Sequence, residues 1–428
     1  MGSRWPRALT SQPAGLAIDV RIENPLCRVP VSLLLDDSCP VVNLSHFYIK
    51  LYNKRLGPRE RRPIGDMPAE IPVSFARKFG EWCAENGVKG KFSFIPMPAG
   101  LGTIDRELPG FPKARLDEWI RATKEIIRPN FDLTPEMITH CQVVDLSDWT
   151  MTSWWENETG AWGPLPGDWL TRYIAAALRI LRNIDIAAKG VTSPGDFGRA
   201  DLDGYAAATL RASKAVNDIA TPYFYYEGDE DGIPWPKLYS LDKKKGEACV
   251  SILSCTDDWF GGWEGDNRAA VYSPDMCITE DLLTGRLPQV IAAGCPAVIV
   301  AHWQGFYFEG EELGFRTFKV VVERINRLPN ILWMKPSEIA RYWMAREMVQ
   351  IEANEGGCRI TSPISCDRFT LRLSPARSGG WRVNSKSLRE VSDPLSLQPG
   401  AWTQDADDTL LAFHLPPGET VVESGVSV

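Results

Sequence analysis

Residues 31–40 read VSLLLDDSCP. A run of apolar strand formers ends in two adjacent acids, Asp36 and Asp37. Neighbouring residues on a strand point to opposite faces. Charges at the tip of a buried strand are costly to desolvate unless something uses them. The strand therefore belongs inside a fold that places polar groups at its carboxyl end.

Strands and helices alternate outward from this stretch. Residues 71–87 (IPVSFARKFGEWCAENG) read as a helix that Gly87 can stop. GKFSFIPM reads as a strand and residues 116–128 as a helix. Residues 136–146 (EMITHCQVVDL) are apolar and β-branched and read as a strand, and residues 168–186 carry a helical stripe. AKGVTSP, TPYFYY, ACVSILSC, PAVIVAHW and ILWM read as further strands. LDGYAAATLRASKAVND, CITEDLLTGRLPQVIAAG, FRTFKVVVERINRL and PSEIARYWMAREMV read as helices. This alternation implies a parallel sheet with right-handed crossovers, and the apolar strands imply cover on both faces. The expected fold class is α/β, a distorted (β/α)7-8-type barrel, with an open doubly wound sheet as the other arrangement. After about residue 350, short alternating strands between Pro, Gly and Ser imply a small C-terminal all-β module. The expected divisions are a leader over 1–27, a barrel over 28–349 and the β module over 350–428.

Composition narrows the function. The chain has 428 residues, 44% hydrophobic and 24% charged, as in an ordinary globular enzyme. The net charge of −8 comes without a block of like charges, which argues against nucleic-acid or anionic-membrane partners. No apolar run reaches about 18 residues, so no transmembrane span is expected. MGSRWPRALTSQPAG has no apolar stretch after its basic residues and does not read as a signal peptide. The ten cysteines form no CxxC pair and sit mostly in apolar segments, which points to a cytoplasmic location. There is no GxGxxG or GxxxxGK[ST], so no nucleotide cofactor is expected. A soluble chain of this size is compatible with a homo-oligomer.

Polar residues recur at strand ends, where barrels and open parallel sheets place their chemistry. Asp36 and Asp37 end the first strand. His140 and Asp145 lie in and after the 136–146 segment. Asp196 and Arg199 follow in TSPGDFGRAD, Asp257 and Asp258 in TDDWFGGW, and His302 and Gln304 in HWQGFYF. Two of the four histidines fall in this set; His46 and His414 fall outside it and read as structural. Most of the sixteen tryptophans read as core or loop packing. Trp259 and Trp303 directly follow Asp258 and His302, and these two are expected to line the mouth as faces for a sugar ring.

The succession resembles the polysaccharide deacetylase family of the chitooligosaccharide-deacetylase type, a distorted (β/α)7 barrel. LLLDDS is similar to its first motif, TSPGDFG to its third, TDDW to its fourth and VIVAHW to its closing motif, while EIARYW resembles its last helix. The resemblance covers about residues 28–345, in the family's order. It implies Asp36 as the base that activates water, Asp37 and His140 as metal ligands, His302 as the acid that protonates the leaving group, and Asp258 as the group that tunes His302. It implies a zinc-like divalent metal and an N-acetylated sugar as substrate. The family's second motif carries two histidines four residues apart, whereas the position four after His140 is Val144. Asp145 is then the nearest third ligand, and Asp196, Arg199, Trp259, Trp303 and Gln304 would contact the sugar. Two other readings stand beside this one: a metal-independent glycoside hydrolase using Asp36 or Asp37 with Asp258, and a carbohydrate-binding protein that has lost its chemistry.

Overall fold

The computed structural model describes residues 18–425 except positions 66, 266 and 378. Seven parallel strands carry the core: β1 (Val29–Asp36), β2 (Gly90–Ser93), β3 (Phe131–Thr134), β4 (Gly190–Thr192), β5 (Tyr223–Gly228), β6 (Glu247–Ser254) and β7 (Ala297–His302). β7, β1, β2 and β3 form one ladder, and β4, β5 and β6 a second. Two joints close the circle. A parallel bridge links Glu136, just past β3, to Thr192 of β4. Past β6, the Cys255 N–H donates to the Val298 carbonyl of β7 at 2.7 Å. The circle is a distorted (β/α) barrel, as the alternation of elements implied.

Two short strands wedge into its lower half. Ile331–Trp333 pairs with the start of β1, and Lys237–Asp242 runs antiparallel against β6. Both pair near the starts of these barrel strands, at the end away from the polar strand tips.

Strand parity sorts the side chains. Leu34 of β1 packs inside with Tyr225, Ile252, Val298 and Val300. Val31, Leu33 and Leu35 face outward into the helical layer with Phe75 and Phe79. Gly190 leaves room for an interior ring, because a Cβ there would lie 2.5 Å from Tyr223 Cε1. The helix Val73–Glu85 buries Phe75, Ala76, Phe79 and Cys83, the 3–4 spacing of an amphipathic helix.

The C-terminal part is a β-sandwich of two five-stranded sheets. One holds Gln350–Ala353, Gly357–Ser362, Gly418–Ser424, Trp381–Val383 and Lys386–Ser387; the other holds Asp19–Ile22, Cys366–Ser374, Asp408–Leu415, Ala401–Asp405 and Arg389–Glu390. Pairing is antiparallel except between Arg389–Glu390 and Ala401–Asp405. The expected leader over 1–27 lies outside the described residues through residue 17. Its last part is structural, because Asp19–Ile22 pairs with Cys366–Ser374 of the sandwich. No helix among the described residues is long and apolar enough to cross a membrane.

Two element expectations need correction. The barrel strand near His140 is not 136–146 but the preceding Phe131–Thr134. The segment after it is a loop, followed by an antiparallel hairpin, Gln142–Val144 with Met151–Trp155. β3 hides in the sequence because its interior side chains are polar: Asp132 accepts from the Ser337 N–H and hydroxyl, each at 2.8 Å. The expected helix in CITEDLLTGRLPQVIAAG shrinks to Arg286–Ala292; its first residue, Cys277, ends the short helix Pro274–Cys277, and turns fill the span between.

Trp303 is also a correction. It is wholly buried, with ring centroids 4.7 Å from Phe75, 5.2 Å from Phe92 and 5.4 Å from Phe79. It caps the outer apolar layer and cannot meet a sugar at the mouth. Trp303→Ala should destabilise the fold by about 3–5 kcal/mol, as expected for a truncated core aromatic. Urea unfolding measures this, and a loss below about 1 kcal/mol would contradict the packing role.

Candidate metal centre and acid–base pair

β1 delivers its two acids in different directions. Asp36 continues the strand, stands in register with His302 of β7, and points inside the barrel. The buried Lys91 ammonium of β2 bonds its Oδ1 and lies 3.0 Å from the Ser93 hydroxyl. Burial pushes the Asp36 carboxyl up to about 6, against the pull of Lys91. Asp37 leaves the strand in the left-handed region, with φ 60°. That turn swings its side chain out of the ladder toward the loop after β3.

Three donors meet there. His140 Nε2 lies 2.8 Å from Asp37 Oδ1 and 3.3 Å from Glu136 Oε1. Asp37, Glu136 and His140 each offer one ligand atom, and these atoms lie within 4.8 Å of one another. The Asp37 N–H donates to Glu136 Oε2 at 2.9 Å, which fixes one carboxylate against the other. Asp37 Oδ2 is buried and accepts no hydrogen bond, while Oδ1 faces His140 Nε2. Buried carboxylates are otherwise almost always satisfied, so the donor set fits a divalent cation. Three protein ligands with one position left for water is the arrangement of a catalytic metal site.

Electrostatics agree with this donor set. Burial opposes charge on His140, but Asp37 and Glu136 more than offset it and hold the imidazole well above its usual range. Burial likewise opposes charge on Glu136, and the facing His140 with the Asp37 amide holds it down at about 2. A proton on His140 thus sits where a cation would sit.

The loop is held from behind. The buried Glu156 carboxylate, at the end of the hairpin, accepts from the backbone N–H groups of Ile138, Thr139 and His140 and from the Tyr173 hydroxyl. Burial pushes its carboxyl up to about 7.

The second half of the site lies across the mouth. His302 Nδ1 donates to Asp258 Oδ2 at 2.6 Å. Burial works against the charge, but Asp258, with Asp37 and Asp36 behind it, raises His302 to about 10. Gln304 is buried and donates from Nε2 to the Asp37 carbonyl at 3.3 Å, which links the two halves.

The structure brings Asp36, Asp37, His140, Asp258, His302 and Gln304 to one end of the barrel. It does not bring Asp145. That carboxylate is exposed at the hairpin turn, where it accepts from the Ser147 N–H at 2.9 Å and its hydroxyl at 2.7 Å. The turn uses its charge, and the third residue able to join Asp37 and His140 as a ligand is Glu136. Arg199 is more than half exposed and ion-paired to Asp196 at 3.2 Å and Glu227 at 2.6 Å, in the loop after β4. Trp259 is half-buried beside Asp258.

Three polar residues of the site escape a reading of strand ends. Glu136 lies four residues before His140, the expected ligand spacing counted in the other direction. Lys91 sits inside an apolar strand, and Glu156 sits in a tryptophan-rich hairpin. Glu136 alone had a usable signal, in its spacing.

No family model matches the chain, and no curated protein matches it in sequence. Loose likenesses to solved structures exist. A probable polysaccharide deacetylase from Pseudomonas aeruginosa PAO1 is 11% identical, with 55% of this chain and 67% of that one covered and a TM-score of 0.36. Puue allantoinase is 12% identical over 81% of this chain and all of that one, with a TM-score of 0.42. The 4-alpha-glucanotransferase from Thermococcus litoralis is 13% identical over 73% of this chain and 40% of that one, with a TM-score of 0.38. At such identities and scores the functional reading rests on the site itself.

Proposed function

We propose that the protein is a metal-dependent hydrolase that removes an acyl group, such as acetyl, from an N-acylated sugar. The single observation that carries this reading is the buried triad of Asp37, Glu136 and His140 beside the His302–Asp258 pair. A divalent ion held by the triad would supply Lewis acidity and acidify water near neutral pH. The chain's own groups supply the rest. Asp36, held by Lys91 and raised toward neutrality by burial, is suited to take a proton from the attacking water. His302, kept protonated by Asp258, is suited to give one to the departing amine.

The sugar is the less direct part of this reading. It rests on the half-buried Trp259 and on Trp149 and Trp154, which stand exposed on the hairpin after the metal loop. Rings in such positions can stack on the apolar face of a sugar.

The paired-carboxylate alternative is less well supported, because each of its acids already has a cationic partner or a ligand role. Asp36 is bound to Lys91, Asp37 faces His140, and Asp258 holds His302. The test is release of acetate from N-acetylated chito-oligosaccharides by protein loaded with zinc, manganese or cobalt. Release that a chelator abolishes and added metal restores is expected. Chelator-resistant cleavage of the glycosidic bond would overturn the proposal.

A further inference from the structure

Glu156 is a carboxylate with no exposed surface and, among the described residues, no lysine or arginine hydrogen-bonded to it. Desolvating a carboxylate without a cationic partner is expensive. What surrounds it is the backbone of the metal loop. Oε1 accepts from Ile138 N at 3.1 Å and Thr139 N at 3.1 Å, and Oε2 from Thr139 N at 3.2 Å and His140 N at 2.7 Å. The Tyr173 hydroxyl donates to Oε1 at 2.5 Å and itself accepts from Val144 N at 3.1 Å.

The loop it grips needs holding. Met137 and His140 both have positive φ, 45° and 58°. For non-glycine residues such backbone persists only where surroundings over-determine it. Three successive amides aimed at one carboxylate do that. They set the direction in which the His140 Cα–Cβ bond leaves the loop, and so where Nε2 points relative to Asp37 and Glu136.

We propose that Glu156, clamped by Tyr173, is the positioning residue of the metal centre: through the amides of residues 138–140 it fixes the His140 ligand. Its own oxygens are taken up by those amides and by Tyr173, so it stands outside the ligand set of Asp37, Glu136 and His140. The inference rests on the metal reading of the triad and adds to it a residue outside the ligand set.

The test uses the full chain and Co2+ alone, read by calorimetry and by the visible absorption of the bound ion. Glu156→Gln keeps the volume but turns one of two acceptor oxygens into a donor facing amide N–H groups. Tyr173→Phe removes the hydroxyl's bonds to Glu156 and from Val144 N and leaves the carboxylate, so it tests the clamp if the first variant does not fold. Glu156→Gln should weaken Co2+ binding by about 10–100-fold, the usual effect of losing a group that orients a ligand. Its spectrum should change, and Tyr173→Phe should shift both in the same direction by less. Asp145→Ala, on the same hairpin but away from the loop, should change neither. Folded Glu156→Gln and Tyr173→Phe with wild-type affinity and spectrum would overturn the positioning role while leaving the metal centre standing. A wild-type chain that binds no Co2+ would overturn both.

Discussion

His140→Ala should abolish tight divalent-cation binding. The ion would lose the one imidazole of its donor set and face two carboxylates, of which Glu136 is already engaged by the Asp37 amide. The expected loss exceeds the roughly 10–100-fold that changes behind the ligands bring. Glu136→Ala should act similarly, and Asp145→Ala should have no effect. Binding should also strengthen with rising pH. Asp37 and Glu136 hold His140 above its usual pKa, so its proton must leave before Nε2 can bind an ion. Calorimetry in two buffers of different ionisation enthalpy would read the released proton. Undiminished stoichiometric binding by His140→Ala would place the ion elsewhere.

Much of this centre was legible in the sequence, for a physical reason. Barrel strands are apolar, so an acid or histidine at their carboxyl ends stands out, and Asp36, Asp37, Asp258 and His302 were visible that way. His140 was visible too, but on the wrong element. β3 ends at Thr134, and the metal loop turns back through two left-handed residues that no periodicity shows. The family's forward spacing from His140 falls on Val144, which cannot bind a metal, and so pointed to Asp145. In the actual loop, Glu136 and His140 face one point four residues apart. Lys91 and Glu156 were invisible because their use depends on contacts far away in sequence, to Asp36 and to the amides of residues 138–140. Trp303 failed for the opposite reason. Its position after His302 suggested the mouth, but it opens the short helix Trp303–Tyr307, whose inner face packs on the helical layer.

The fold followed the alternation of elements more faithfully than the site did. Parallel pairing needs only apolar strands and crossover helices, and both are written in local composition. The wedge strands Lys237–Asp242 and Ile331–Trp333 modify the circle without changing its order. The strand Asp19–Ile22 reaches its partner Cys366–Ser374 across nearly the whole chain, a pairing that no local pattern signals.

Removing the acid–base pair should bring the second large effect, this time on turnover and not on metal binding. On the proposed reaction His302→Ala should lower kcat by about 10²–10⁴-fold, the range for loss of a positioned proton donor. Asp258→Asn should lower it less, because the ring remains while its charge is no longer supported. The pH behaviour separates this role from a structural one. The folded His302 titrates at about 10, above its ordinary value near 6.5. A raised folded pKa means the charged pair stabilises the protein fully below about 6.5, and that this contribution disappears as pH rises through about 10. At neutral pH the ring therefore carries the proton that a leaving amine needs. Asp258→Asn removes the nearest charge that holds this proton, so burial should gain ground and the His302 titration should move toward neutrality. Nitrogen-detected NMR of the imidazole would follow that titration directly. With it, the alkaline limb of the rate profile should shift to lower pH, while Co2+ affinity stays that of the wild type. A His302 that titrates unchanged in Asp258→Asn, or a His302→Ala variant with full turnover, would remove this pair from the reaction and leave the triad to act with another proton donor.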